Sequence, residues 1–233
     1  KMKLTRIASA IMAIAMMVTA GSCTQKDEKA KYIFLFIGDG MGNSHVSVTE
    51  SYLSWKEGKL GGEQLRMTTF PVYGTATSHS ADKRVTDSSA AGTAIACGEK
   101  TNNSYLGVDP EGKQLTSILR KAQAMGKKSG IVVNTTLTEA TPAAFYAGVT
   151  SRSMSYDIAK QFSESQVDVA IGAGLSAFIN RPDSVDLTAT LIEKGYNVYL
   201  DWKAVLNTTS DKFVGILPMG DVHRRNESSN TTA

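Results

Sequence analysis

Apolar and polar residues follow one another along the chain in blocks that predict alternating strands and helices. Short continuous apolar runs are typical of strands buried on both faces of a sheet. Amphipathic segments that stop at a glycine are typical of helices. The predicted strands cover 32–37, 130–133, 167–171, 198–200 and 213–217, and the predicted helices cover 43–56, 115–125, 155–164 and 186–194.

Helices placed between buried strands predict an α/β fold with a mainly parallel central sheet flanked by helices on both faces. Ligands of such sheets gather at the carboxyl ends of the strands. We therefore expect the glycine-rich loop around Asp39 and the loop 134–141 to lie at one rim of the sheet.

The first 22 residues have the pattern of an export signal. A basic start precedes an uncharged run at 7–18, which is too short to span a membrane. Cys23 follows small residues in a lipobox-like pattern. We predict a signal peptide of the lipoprotein type at 1–22, a polar tether at 23–30, and lipid on Cys23 as the only membrane attachment. Ordinary cleavage near Ser22 is the alternative.

This pattern predicts an exported protein of a Gram-negative bacterium, in the periplasm or anchored to the outer membrane. Residues 31–233 then form one domain, since 42% hydrophobic and 20% charged residues is an ordinary globular composition. The formal charge of +3 comes from Lys1, Lys3 and Arg6, because without them 22 basic residues face 22 acidic ones. This balance argues against a nucleic-acid partner.

Asp39 lies in the sequence Ile-Gly-Asp-Gly-Met-Gly, directly after a predicted buried strand. A carboxylate at the sheet rim could bind a hard cation, and the glycines would allow close backbone approach. A turn whose aspartate satisfies local N–H groups is the structural alternative. A dinucleotide loop is disfavoured because the Gly-x-Gly-x-x-Gly pattern is absent.

Ser88 lies in Val-Thr-Asp-Ser-Ser-Ala-Ala-Gly, which predicts a tight helix start. The free N–H groups and the positive end of a helix stabilise an anion there. A serine that only caps the helix is the alternative. His79 is nine residues upstream and does not suit a base for Ser88. If Ser88 is a nucleophile, a metal ion is therefore the obvious activator.

The segment 138–152 combines oxygen ligands with an arginine. Glu139 and Thr141 carry the oxygen atoms that magnesium prefers. Arg152 offers a planar fork for two phosphate oxygens. Taken alone, the segment also fits a capped helix with an arginine at its end.

Together, the phrases IGDGMG, VTDSSAAGTA and EATPAAFYAGVTSR resemble the alkaline phosphatase family, in order and over roughly residues 31–220. The resemblance implies an incomplete, N-terminal part of the alkaline phosphatase fold. It implies that Ser88 is the nucleophile that forms a phosphoserine, that Asp87 helps to position the arginine, and that Arg152 clamps the phosphate oxygens of a phosphate monoester.

The resemblance also implies metal ligands. Asp39 matches the carboxylate that bridges the second of two zinc ions and the magnesium, and Ser88 meets that zinc. Thr141 matches a magnesium ligand. Glu139 stands at a position near magnesium where relatives have Asp or His, and its longer side chain leaves direct coordination open. Relatives are often dimers, so a homodimer is a further expectation.

The remaining zinc ligands of the family have no match. Its Asp-x-x-x-His and Asp-His patterns are absent, and the chain has only His45, His79 and His223. We therefore expect the isolated chain to have little phosphatase activity. Two alternatives stay open: a related phosphodiesterase or sulfatase-type hydrolase, and a non-catalytic, lipid-anchored phosphate-binding protein.

Overall fold

A computed structural model describes residues 30–219. These residues fall into two units divided between Gly38 and Asp39. The predicted signal peptide and the lipid on Cys23 lie outside the described residues and stay predictions. In the part of the chain that is described, no helix has the length and apolar character needed to cross a membrane.

The second unit contains helices and strands in alternation. The helices are α1 (Asn43–Lys56), α2 (Ser88–Cys97), α3 (Ile118–Ala124), α4 (Ala140–Ala143), α5 (Ser155–Glu164), α6 (Ser176–Ile179), α7 (Leu187–Glu193) and α8 (Trp202–Asn207), with a 3-10 helix at Arg66–Thr69. The strands are β1 (Gly130–Thr136), β2 (Val169–Ala173), β3 (Asn197–Tyr199) and β4 (Phe213–Leu217).

The four strands form one parallel sheet in the order β1-β2-β4-β3. In the register, Val169 is paired with Gly130 on one side and with Phe213 on the other. Because parallel strands need a long crossover connection, helices are expected between them, and helices are found there. The predicted α/β fold with a mainly parallel sheet is confirmed.

Helices pack on both faces of this sheet. One face joins the main core, in which Ala170, Val214 and Ile216 belong to the same buried cluster as residues of α5 and α7. The opposite face meets α8, whose Val205 packs against Phe213 and its neighbours. A stack of edge-to-face rings crosses the main core, formed by Tyr146, Phe162 and Phe178.

Most predicted elements appear with small changes in their bounds. The helix 155–164 and the strand 213–217 are confirmed with the predicted ends. The helix predicted from Leu115 begins three residues later, because Ser117 caps it by accepting a hydrogen bond from the Arg120 N–H. The strand predicted at 167–171 lies two residues later, at Val169–Ala173.

The predicted strand 32–37 is wrong. Residues 32–38 have no strand assignment. The side chains of Tyr32, Ile33, Phe34 and Phe36 are 71 to 88% exposed. A strand exists only where a neighbour takes its backbone hydrogen bonds, and no described strand pairs with this segment. An apolar run indicates the tendency to be buried but does not supply the partner that buries it.

Candidate active site

Helix α2 begins at Ser88, and Asp87 is its cap. Asp87 Oδ1 accepts a hydrogen bond of 3.0 Å from the Ala90 N–H. Because Asp87 caps the helix, the alternative interpretation of Ser88 as the capping residue is wrong. The Ser88 hydroxyl is therefore available for another contact in the first turn, where free N–H groups and the helix dipole favour an anion.

That contact is with Asp39, which joins two distant parts of the chain. Ser88 Oγ donates a hydrogen bond of 3.0 Å to Asp39 Oδ1. Thr141 Oγ1 donates a hydrogen bond of 2.6 Å to the other carboxylate oxygen, Oδ2. The structure thus brings together the two loops that the sequence placed at one rim, with Asp39 between the two hydroxyl groups.

Small residues allow α2 to come close to the segment that carries Thr141. A Cβ atom added to Gly92 would lie 3.3 Å from the Thr141 Cα and 3.3 Å from the Ala144 Cβ. Side chains of ordinary size at these positions would separate the two segments. The small residues after Ser88 therefore allow α2 to pack closely against the segment of Thr141, and this packing sets the distance between Ser88 and Thr141.

Arg152 lies between two carboxylates. Its Nη1 atom is 3.7 Å from Asp87 Oδ2. Its Nη2 atom donates to Glu139 Oε1. The side chains of Arg152 and Glu139 are 35% and 37% exposed, so the pair stands at the surface of the site. Glu139, predicted near a metal, faces the arginine in this structure.

Asn103 and Ser104 are site residues that the sequence did not indicate. The Ser104 N–H donates to Asp87 Oδ2 at 2.9 Å, and the Ser104 carbonyl accepts from the Arg152 N–H at 2.8 Å. Asn103 Oδ1 accepts from the Asp87 N–H at 3.2 Å. Ser104 has a positive φ of 71°, which is uncommon outside glycine. A polar Thr-Asn-Asn-Ser turn was the available signal, but it looks like any surface loop.

The environment of Asp87 favours its charged form. Partial burial raises the pKa of this carboxyl. Hydrogen bonds from Ala90, Ser104 and Ser89, together with the charge of Arg152, outweigh the burial, and the pKa of Asp87 is lowered overall. Asp87 is therefore an anion at neutral pH and suits the task of holding the arginine.

The residues of the site suit magnesium better than zinc. Asp39 and Thr141 offer the oxygen atoms that magnesium prefers, although both are engaged in hydrogen bonds with each other. Zinc sites are usually built from histidine, cysteine and carboxylate ligands. Within residues 30–219, no group of three or more such side chains could hold a metal. His45 and His79 bond to local backbone groups, and His223 lies outside the described residues.

A family profile described as "Alkaline phosphatase" matches residues 30–215. The chain belongs to the alkaline phosphatase family. Residues 30–215 include all the positions of the site described above, from Asp39 to Arg152. The matched range thus covers all three motifs and nearly all of the parallel sheet.

Relatives and solved structures agree with this family. Alkaline phosphatase 4 of Bacillus subtilis is 34% identical over 234 residues, which cover 92% of this chain and 49% of that protein. The structure of Thermus thermophilus alkaline phosphatase has 30% identity and a TM-score of 0.71, over 78% of this chain and 39% of that one. A mutant of TAB5 alkaline phosphatase with magnesium bound in its M3 site has 30% identity and a TM-score of 0.61, over 69% of this chain and 49% of that one.

The chain spans about half the length of the curated relatives that it matches.

Proposed function

We propose that this chain provides the nucleophile and the phosphate-binding arginine of a phosphate monoester hydrolase that acts through a phosphoserine at Ser88. The observation that supports the proposal most is the contact of Asp39 with both Ser88 and Thr141. A turn aspartate needs no such partners, and Ser88 is not needed as a cap because Asp87 has that role.

In the proposed reaction, Ser88 Oγ forms a bond to the phosphorus atom while its proton passes to Asp39 Oδ1, the bond from phosphorus to the ester oxygen breaks, and the leaving alcohol takes a proton from water. A water molecule then hydrolyses the phosphoserine, which releases inorganic phosphate and restores the Ser88 hydroxyl. Asp39 Oδ1 accepts the hydroxyl hydrogen bond and so orients Oγ. The N–H groups at the start of α2 stabilise negative charge beside Ser88. Arg152 provides guanidinium N–H groups for the phosphate oxygens, over which the charge of the transition state is spread.

Magnesium, which a structural neighbour binds in its M3 site, would be held here by Asp39 and Thr141 and would neutralise phosphate charge. Glu139 would contribute through its carboxylate only after leaving Arg152. The zinc pair that the resemblance implies does not fit the described residues, so no step of the proposal passes through zinc.

For the 233-residue chain alone we expect little turnover of a chromogenic phosphate monoester, even with added magnesium and zinc. The reason is that the described residues contain no group of three or more His, Cys, Asp or Glu side chains that could hold the zinc pair. Ready turnover by the purified chain would contradict this expectation.

A chimera tests the proposed function itself. Residues 30–215 of this chain would replace the matching part of Bacillus subtilis alkaline phosphatase 4, which supplies the other half of its length. We expect monoester turnover and an acid-stable phosphoserine, with both lost in Ser88→Ala. The matched control is Ser210→Ala, which changes a serine beside β4. A folded chimera without turnover would refute the proposal.

The same chimera separates the alternatives. A higher rate on a phosphodiester than on a monoester would favour the related phosphodiesterase class. The observation that favours a non-catalytic phosphate-binding protein is that no group of three or more His, Cys, Asp or Glu side chains within residues 30–219 could hold a metal. That alternative predicts phosphate binding that a chelator does not change, with no phosphoserine formed.

A further inference from the structure

Arg152, the phosphate-binding residue of the proposed function, already has an anionic partner. Its Nη2 atom donates to the Glu139 carboxylate, and Asp87 lies 3.7 Å from Nη1. Two carboxylates therefore surround one guanidinium before any substrate arrives. An incoming phosphate would add further negative charge and would need the same N–H groups.

The two carboxylates are held very differently. Asp87 accepts hydrogen bonds from the Ala90 N–H, the Ser104 N–H and the Ser89 hydroxyl, and its side chain is 24% exposed. Apart from Arg152, Glu139 accepts one described hydrogen bond, from the N–H of its neighbour Ala140 at 3.0 Å. Asp87 is thus fixed by the fold, whereas Glu139 can turn away at the cost of a single backbone contact.

Solvent can reach the contact between Glu139 and Arg152. Both side chains are about one third exposed. An ion pair in such a position contributes little stability, because water and salt screen it. A phosphate with several acceptor oxygens can therefore replace a single carboxylate oxygen on the guanidinium without disturbing the core.

We infer that Glu139 is an internal competitor of phosphate: its carboxylate occupies Nη2 of Arg152 and must leave before the arginine binds a phosphate anion. The inference rests on the proposed function in one respect, that Arg152 binds phosphate. Glu139 is then a residue that sets the affinity for the substrate's phosphate group and for inorganic phosphate, and Asp87 keeps the arginine in place during the exchange.

The test measures inorganic phosphate binding to the full chain by isothermal titration calorimetry, with a chelator present and at constant ionic strength. Glu139→Gln keeps the size of the side chain and an oxygen for the Ala140 N–H but removes the charge. We expect its dissociation constant to be about two- to tenfold lower than that of the wild type. This gain in phosphate affinity should disappear in the double variant that combines Glu139→Gln with Arg152→Gln.

Glu193→Gln is the control for the change in net charge, because Glu193 is an exposed residue at the end of α7. It should bind phosphate as the wild type does. Equal or weaker binding by Glu139→Gln, or a gain that persists without Arg152, would overturn the inference. Turnover by the chimera is a separate result, so an active chimera with unchanged phosphate affinity would reject the competitor and keep the proposed function.

Discussion

Residues 39–85 and residues 88–217 hold their structure by different means, although the candidate site draws on both. Every buried apolar residue of the described chain is Ala90 or a later one. In 39–85 only Ser54 and Ser80 are buried, while Trp55 and Phe70 are 71% and 60% exposed. The first region is held by polar contacts, such as those of the Glu50 carboxylate with the Leu65 N–H and the Thr68 hydroxyl.

This difference divides the site. Ser88 and Arg152 are attached to elements that share the main core, so their positions are fixed by the burial of large apolar surfaces. Asp39 belongs to the region without such a core, and its two hydrogen bonds with Ser88 and Thr141 are the described side-chain contacts that hold it at the site. The stability of the fold and the assembly of the site should therefore respond to different mutations.

The largest expected loss of stability comes from removing an aromatic side chain in residues 88–217, compared with removing one in residues 39–85. Phe162 is 2% exposed and packs edge-to-face on Tyr146 and Phe178, with ring centroids 5.2 and 5.9 Å away. We expect Phe162→Ala to lower the free energy of unfolding by about 3–5 kcal/mol. Trp55→Ala should lower it by less than about 0.5 kcal/mol, because the side chain is exposed.

Urea unfolding followed by circular dichroism measures both variants. Equal losses of stability in Phe162→Ala and Trp55→Ala would show that residues 39–85 share a core with the rest, contrary to the comparison.

The next largest loss of stability is expected from replacing one of two glycines that have nearly the same backbone conformation. Gly107 has φ of 63° and Gly58 has φ of 67°. A Cβ atom on Gly107 would lie 1.9 Å from the Ala147 carbonyl oxygen, whereas nothing lies within 4 Å of a Cβ atom on Gly58. We expect Gly58→Ala to cost about 1 kcal/mol, from the left-handed backbone alone.

Gly107→Ala has the same backbone cost and must also move the Ala147 segment, which adds about 1–3 kcal/mol. Thermal unfolding measures the stability of both variants. Because both pay the same cost for the left-handed backbone, the difference between them gives the cost of the close contact with Ala147. Similar losses would mean that the contact with Ala147 relaxes freely and that this part of the core is not tightly packed.

The same difference explains which elements the sequence predicted. Between residues 130 and 217, apolar runs and helix caps coincide with real packing partners, so strands such as 213–217 and helices such as 155–164 were found with their bounds. The run 32–37 has an equally strong apolar pattern, but the described chain contains no strand that pairs with it. The local sequence therefore indicates that a segment tends to be buried, but whether it forms a strand depends on a partner strand elsewhere in the chain.

The site was predictable where a general rule of topology applied. The loop of Thr141 follows β1, as the gathering of ligands at the carboxyl ends of parallel strands predicts. Asp39 meets this loop through its hydrogen bonds with Ser88 and Thr141, although the strand predicted before it is absent from the described residues. The contact of Glu139 with Arg152 was not predictable, because it depends on how the chain folds back over thirteen residues. The role of Ser104 was hidden as well, since its backbone groups, and not its side chain, hold Asp87 and Arg152.

The smallest expected effect is a change in how stability depends on pH when one carboxylate from each region is neutralised. Partial burial raises the pKa of Asp168, but a hydrogen bond of 2.8 Å from the Ser129 N–H and the nearby Lys128 ammonium, at 3.0 Å, outweigh it. The pKa is therefore lowered from the usual 3.8. Stability from this group is present above that value and is lost as the pH falls through the lowered pKa.

We expect Asp168→Asn to cost about 1 kcal/mol at pH 7 and to differ less and less from the wild type below about pH 4. Glu50, in residues 39–85, also has a lowered pKa, but the causes are hydrogen bonds from the neutral Thr68 hydroxyl and Leu65 N–H, whereas Asp168 also has the Lys128 ammonium beside it. Glu50→Gln should therefore cost less than Asp168→Asn. Unfolding in urea at several pH values measures both, and a constant gap between wild type and Asp168→Asn from pH 7 to pH 3 would show that the charge of Asp168 does not stabilise the sheet region.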